Sequence, residues 1–275
     1  MKIKWLAGLF FLPLGACATE ADSLKVERLL AEAEALPEDS CRTLHFARRL
    51  IGIPYAAGTL EESGEERLVV HLDKADCTTF VETVLALAVA DKGQERTYDA
   101  FREALEKIRY RGGKCDGYAS RLHYFSDWIK DNERKGLVKE YTSTLKGAQP
   151  QTLFLHFMTS HVESYPQLKA DTALVEAMRR VEAAWQSVET SYLPKERLCL
   201  PPDELPIKNG DVLAITTSIE GLDVVHVGFA CWVGGELHLL HASSAAMKVI
   251  LDDRSLYEYS KNKKAHTGVR ALRMK

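Results

Sequence analysis

The chain has 275 residues, 46% of them hydrophobic and 27% charged, with 36 Lys and Arg against 39 Asp and Glu and a formal net charge of -3. That length holds one large domain, or one domain with a substantial insertion. Without a basic bias no nucleic-acid partner is expected, and no internal repeat or low-complexity stretch interrupts an ordinary globular composition.

Lys2 and Lys4, followed by the apolar run from Trp5 to Leu14, read as an export signal of about ten apolar residues, too short to span a bilayer easily. Leu14-Gly15-Ala16-Cys17 is similar to a bacterial lipobox. It makes residues 1–17 a signal and Cys17 the acylated, membrane-anchoring N-terminus. Ordinary cleavage at the small-x-small run Ala16-Cys17-Ala18 is the competing reading, and it gives a soluble periplasmic or secreted protein. Either way the mature protein works outside the cytoplasm, on the periplasmic side of a bacterial envelope. An oxidising compartment permits disulfides. Pairing among Cys41, Cys115, Cys199 and Cys231 stays open, although Cys231 sits in an apolar run and reads as a small buried hydrophobe.

Asp22 or Ser23 can cap a first helix whose apolar stripe is Leu24, Val26, Leu29, Leu30, Ala33 and Leu36. A second helix is predicted from Cys41 towards Ile51, then a loop with Gly52, Pro54, Tyr55 and Gly58, then a short β-branched run at Leu68–Val70. From Cys77 to Ala90 the apolar positions 80, 81, 84, 85 and 88 define a helix facing a core. Further helices are predicted at Tyr98–Ile108 and Arg121–Asn132, a strand at Val138–Leu145, and one long helix or two at Lys169–Val188. After Pro206 the pattern turns to strands at Val212–Thr217, Val224–Trp232, Leu237–Ala242, Lys248–Leu251 and Val269–Leu272, with Gly234-Gly235 as a hairpin turn. Helices first and an antiparallel sheet last imply an α+β domain over residues 22–275. The stretch at about 92–205 is too long for a connector and reads as a mainly helical insertion.

The chemistry-bearing residues are Cys77, after Asp76 at a helix start, and His226 and His241 on consecutive strands. A thiolate is a strong nucleophile, favoured by unpaired N–H groups in a helix's first turn and by a nearby imidazolium. His226 can serve as base and then as acid to a leaving amine, and His241 can orient it through the other ring nitrogen. Strand alternation allows His226 to point at Cys77 while Val225, Val227 and Phe229 pack elsewhere. The Cys77 backbone N–H and the Tyr55 hydroxyl are candidate oxyanion donors. Asp76 is most simply a helix cap.

Tyr55-Ala56-Ala57-Gly58, Asp76-Cys77-Thr78-Thr79-Phe80, His226-Val227-Gly228-Phe229 and His241-Ala242-Ser243 together resemble the NlpC-type branch of papain-like cysteine peptidases. The resemblance implies a papain-like core, with Cys77 as nucleophile, His226 as base and His241 as third member, acting on bacterial peptidoglycan. Two departures stand out: Thr78-Thr79 replaces the usual Ser-Gly, and the distance from Cys77 to His226 is unusually long. Within that distance, the runs at Gly117–Trp128, Phe157–His161 and Tyr192–Lys195 are similar to the N-acetylmuramoyl-L-alanine amidase-like subfamily, formerly a domain of unknown function. This implies hydrolysis of the amide between muramic acid and L-alanine in muropeptides, by a monomer without a cofactor.

Arg121, His123 and Tyr124 are expected within one helical turn, with Trp128 five residues beyond His123, and form a polar-aromatic face suited to a sugar or a peptide carboxylate. The competing reading is an amphipathic helix with its aromatics in a core and Arg121 solvated. His161 is a further candidate contact. His156 and His161 are five apart and lack zinc-site spacing, so no metal is expected. Two alternatives remain: a D-γ-glutamyl–diamino acid endopeptidase on the same fold, and an inactive envelope protein that binds peptidoglycan.

Overall fold

The computed structural model describes residues 20–61 and 65–275; the signal segment and Cys17 lie outside the described residues. Four N-terminal helices, α1 (Glu20–Glu34), α2 (Arg42–Arg49), α3 (Cys77–Lys92) and α4 (Tyr98–Arg109), gather around α3. Only Cys77, Thr78, Val89 and Lys92 of α3 escape full burial. A helix apolar on nearly every side must be central, so its exposed tip, Cys77-Thr78, is the part that can meet solvent or substrate. One buried pair anchors it sideways: Arg109 Nε lies 2.7 Å from Glu82 Oε2, and Arg109 Nη1 donates to the Val69 carbonyl. That second bond holds Leu68–Val70 as an extended connector and not as a strand.

Next come α5 (Phe125–Arg134), β1 (Val138–Glu140), β2 (Gln149–Phe154), α6 (Phe157–Ser160), α7 (Pro166–Ala170), α8 (Thr172–Ala183) and β3 (Gln186–Pro194). The C-terminal strands are β4 (Val212–Thr217), β5 (Val224–Val233), β6 (Glu236–Ser243), β7 (Lys248–Ser255) and β8 (His266–Met274), with α9 (Leu256–Ser260) before the last. The sheet runs β2-β3-β8-β4-β5-β6-β7, with β1 beside β8 and every pairing antiparallel. The chain is thus an α+β protein. α3 packs on one face of the sheet, where Phe80 meets Phe229 edge to face with ring centroids 5.6 Å apart, a contact worth about 1 kcal/mol beyond its burial. The other face carries a second core of Leu213, Ile215, Leu239 and Leu256. The insertion has a third, around Tyr124, Leu153, Met178 and Trp185.

Several elements differ from expectation for local reasons. Asp22 does not cap α1; it is buried inside the helix and accepts the Leu72 N–H at 3.0 Å. The helix expected from Arg121 starts at Phe125, because Arg121 bridges Tyr110 and the Leu122 N–H donates to the Arg109 carbonyl, which keeps 121–124 extended. Arg121, His123 and Tyr124 therefore do not share one helical turn. The strand expected over Val138–Leu145 stops at Glu140, where Thr142–Thr144 turns as a 3-10 helix. The expected helix over Lys169–Val188 becomes α7 and α8 and then ends, and residue 186 already belongs to β3. The insertion thus carries a β2–β3 arm besides its helices.

The five described cysteines, Cys41, Cys77, Cys115, Cys199 and Cys231, are all free. Among the described residues no helix is long and apolar enough to cross a membrane.

Candidate active site

The N-terminus of α3 is built by a capping box. Asp76 Oδ1 accepts the Thr79 N–H at 2.8 Å, and Thr79 Oγ1 accepts the Asp76 N–H at 2.9 Å. Such reciprocal caps satisfy two orphan donors and fix the helix start. This accounts for a threonine at 79, where the resemblance led to glycine. Cys77 is the first helical residue, and the backbone of Val227 and the backbone and hydroxyl of Thr78 act to lower its thiol pKa.

His226 and His241 come together through strand register. β5 and β6 pair as far as Phe229 with Leu240, so one position further sets Gly228 against His241. A Cβ at Gly228 would lie 2.9 Å from His241 Cβ and 2.8 Å from the Leu240 carbonyl oxygen. Glycine there lets the His241 ring lean across to the next same-face residue, His226. His226 Nε2 and His241 Nδ1 are 2.5 Å apart with the rings perpendicular. His241 is fully buried and His226 half-buried. One strand further, His241 pairs with Ile250, so Asp252 is its diagonal neighbour. Asp252 Oδ2 lies 3.5 Å from His241 Nε2, an ion-pair distance longer than a good hydrogen bond. Arg254 grips the same carboxylate with Nε and Nη2 at 3.0 and 2.9 Å.

The facing of β5 differs from expectation. Val227 and Phe229 pack on the α3 side, while His226 shares the opposite side with Gly228 and His241. Cys77 and His226 nevertheless line one cleft, with Thr78, His123, Phe125 and Asp223. Tyr259 of α9 lies against the two imidazoles, its ring 5.5 Å from His241 and 6.3 Å from His226, with Lys263 Nζ 3.3 Å from its centroid. Asp252, Tyr259 and Lys263 were missed in the sequence. Only the alternation His241–Ile250–Asp252 could have found the first, and that needs the register of two strands.

Electrostatically the resting site is neutral at its centre. Burial, and then the Asp76 carboxylate, push the Cys77 thiol up to about 11 against the pull of its hydrogen bonds. Burial, and then His241 and Lys263, bring His226 down to about 3, and burial takes His241 to about 4. The expected thiolate–imidazolium pair is therefore replaced by thiol and neutral imidazole, through burial of all three groups and the Asp76 carboxylate beside the thiol. Burial raises the Tyr55 hydroxyl, as do the charges of Cys77 and Asp76 beside it. Burial would raise Asp252, but its bonds to Arg254 outweigh this and hold it at about 2.

The remaining sequence candidates separate. His123 lines the cleft, its Nε2 on the Tyr118 carbonyl at 2.9 Å. Arg121 lines an adjoining hollow but is engaged by Glu61 and Glu66 at 2.8 and 3.1 Å, so it is neither solvated nor a free carboxylate clamp. Tyr124 and Trp128 are core residues and cannot touch a substrate: the Tyr124 hydroxyl is bonded to Glu182 and to the Met158 N–H, and Trp128 is stacked on Phe125 with no exposure. His161 is exposed, stacked on Phe157, and does not line the cleft. Among the described residues no group of three or more His, Cys, Asp or Glu is disposed to hold a metal ion. A larger hollow, about 1150 Å³, lies elsewhere, and within it Arg42 and Arg96 pair with Asp91 and Arg273 with Asp211.

An α+β chain that sets a thiol and an imidazole in one cleft, with a second imidazole bonded to the first from the buried side, has the parts of an acyl-transfer hydrolase. It belongs to the AmiA-like family, described as N-acetylmuramoyl-L-alanine amidase-like, whose model matches residues 45–269. Among solved structures it is similar to an N-acetylmuramoyl-L-alanine amidase from Bacteroides uniformis, with 40% identity over 86% of this chain and 100% of that one and a TM-score of 0.80. A putative xylanase from Bacteroides fragilis is similar at 44% identity, over 83% and 99% of the two chains, with a TM-score of 0.79. A Legionella pneumophila protein at 24% identity, covering 93% and 95%, shares the fold with a TM-score of 0.70. No curated protein matches the chain.

Proposed function

We propose that this protein is a cysteine amidase of the NlpC-type, papain-like kind that hydrolyses the N-acetylmuramoyl–L-alanine bond of muropeptides. The observation that carries the reading is the cleft shared by Cys77 and His226, with His241 bonded to His226, in a chain of an amidase-like family. His226 takes the Cys77 proton as sulfur attacks the lactyl carbonyl, and the carbonyl oxygen becomes an oxyanion facing the Cys77 N–H and the Tyr55 hydroxyl. The carbon–nitrogen bond breaks as His226 returns the proton to the leaving amine of L-alanine. Water, deprotonated by His226, then hydrolyses the thioester to the free acid and the thiol.

The cleft opens on both sides. One hollow continues past Thr78 and His123 to Glu61 and Arg121; the other continues past Leu222 to His156 and the exposed Phe154 and Ile219. A substrate with a sugar on one side of the scissile amide and a peptide on the other needs such a two-armed site, and insertion residues furnish much of both arms. A glycosidase reading, which the xylanase name raises, needs two cleft carboxylates free for acid and base work. Asp223, the carboxylate lining this cleft, is instead bonded to the backbone N–H groups of Ser126 and Val224.

Incubation with disaccharide-tetrapeptide and mass spectrometry of the products tests the reading. Free disaccharide and an L-alanine-led peptide are expected, and none from Cys77→Ala. A disaccharide still bearing L-alanyl-D-glutamate would point to the endopeptidase. Intact muropeptide with wild type, or undiminished cleavage by Cys77→Ala, would overturn the amidase altogether.

Export and acylation at Cys17 belong to the same reading, since the substrate lies in the envelope. In a bacterial host, labelled palmitate is expected on the wild-type protein and not on Cys17→Ala. Label absent from both would favour the soluble form.

A further inference from the structure

We infer that Asp252 is a positioning residue that sets the proton pattern of the histidine pair, extending it to a Cys77–His226–His241–Asp252 line across three adjacent strands. The inference rests on the proposed roles of Cys77 and His226, and on the geometry of β5, β6 and β7. Each imidazole has two nitrogens, and a neutral ring carries a proton on only one of them. His226 Nε2 and His241 Nδ1 face each other, so one donates and the other accepts. Two patterns satisfy that contact, and they differ in the nitrogen of His226 that remains.

If His241 carries its proton on Nδ1, that proton goes to His226 Nε2, and His226 must carry its own on Nδ1. Its remaining nitrogen is then a donor and cannot take the Cys77 proton. If His241 carries its proton on Nε2, the pattern reverses: His226 Nε2–H donates to His241 Nδ1, and His226 Nδ1 is left with a lone pair for the thiol. Only the second pattern makes a base. Its requirement is an acceptor beside His241 Nε2, and the group there is the Asp252 carboxylate at 3.5 Å. An ionised carboxylate can only accept.

The surroundings hold that carboxylate in place. Asp252 is 2% exposed, and a buried carboxylate costs several kcal/mol unless it is paired. Arg254 pairs it through two side-chain bonds and its own backbone N–H at 3.0 Å, while the Asp252 carbonyl accepts His238 Nδ1 at 2.9 Å and fixes the strand beneath. Oδ2 is thus shared between Arg254 and His241. Arg254 itself is 53% exposed, so a purely structural ion pair could have formed at the surface. Placing its carboxylate against a fully buried imidazole gives the pair a second use. In the cycle only one proton moves, from Cys77 sulfur to His226 Nδ1 and on to the leaving amine. His241 keeps its Nε2 proton and Asp252 stays ionised, and together they stabilise the transient imidazolium.

Asp252→Asn is the test, because the carboxamide can donate to His241 Nε2 and so favour the wrong pattern. The expected result is a fall in kcat on the order of 100-fold or more with KM little altered. The loss should shrink as pH rises and Cys77 ionises without help. Asp252→Glu should recover part of it. Alkylation of Cys77 by iodoacetamide, followed by peptide mass spectrometry to separate it from the exposed Cys41 and Cys199, gives a readout independent of substrate identity. At pH 7 it should slow by about tenfold in Asp252→Asn. Wild-type kcat, alkylation rate and pH profile in Asp252→Asn, with Cys77→Ala inactive, would overturn this inference and leave the amidase reading intact. A loss equal at every pH that tracks a lowered melting temperature would also overturn it. An active Cys77→Ala would remove the site reading on which it depends.

Discussion

Replacing His226 by alanine is expected to lower kcat for muropeptide hydrolysis by about 10^4-fold at pH 7, with KM changed little. The magnitude follows from the resting state of the thiol. With Cys77 pushed up to about 11, roughly one molecule in 10^4 carries a thiolate at pH 7 without assistance. His226 removes that deficit by taking the proton as attack occurs, and it protonates the amine that must leave. The pH dependence is a sharper test than the size of the loss. Wild-type kcat/KM should hold as pH falls from 7 towards 5, because burial, His241 and Lys263 keep His226 neutral until about 3; an ordinary histidine would lose its basicity near 6.5. His226→Ala should instead gain about tenfold per pH unit towards the alkaline limit of the assay. The measurement is a pair of pH–rate profiles from pH 4 to 9. A variant that keeps more than a tenth of wild-type kcat at pH 7, or a wild-type acid limb centred near 6.5, would contradict the neutral-pair mechanism.

Much of the fold was legible because its strongest signals are local. The apolar stripe from Phe80 to Ala88 and the strands around Val212–Thr217 and Leu237–Ala242 are periodic, and the structure has α3, β4 and β6 there. Where long-range contacts decide, no local signal announces the outcome. Arg121 and Leu122 lie in a helix-compatible stretch, but the bridge to Tyr110 and the bond to Arg109 hold them extended. Gln186–Val188 falls at the end of the expected helix, yet it opens a strand that runs to Pro194, pairs with β2 and joins β8 through Leu193 and Pro194. The site divides in the same way. Cys77 stands at a capped helix start, and His226 and His241 lie in short, readable strands. Asp252, Tyr259 and Lys263 enter only through the register of β6 on β7 and the packing of α9. The Cys77 charge state was misjudged because the capping carboxylate, a helix-start signal in sequence, also acts as a negative neighbour in space.

The same buried imidazoles should make folding stability fall steeply with acid between about pH 6.5 and 4. Burial brings His226 to about 3 and His241 and His266 to about 4. His226 faces His241, Lys263, His266 and Asp252; His241 faces Asp252, Arg254 and Lys263; His266 faces Lys263 and Lys195, with its Nδ1 3.2 Å from the Ser260 hydroxyl. In the unfolded chain each ring protonates near 6.5. Each folded value is depressed, so below pH 6.5 the unfolded state binds protons that the native state refuses, and stability declines until the folded rings titrate near 4. Each histidine contributes up to roughly 1.4 kcal/mol per pH unit in that window. Buried carboxylates raised by desolvation, Glu66, Glu82 and Asp223, act in the opposite sense and offset part of the loss. A net loss of about 3 kcal/mol between pH 6.5 and 4.5 is expected, a large share of the stability of an ordinary domain. Urea unfolding at several pH values measures it, and His226→Gln with His241→Gln should flatten the slope by removing two titrating rings. An unchanged urea midpoint in the wild-type protein across that range would show that the imidazoles take up protons in the folded state, and with that the neutral resting site would fall.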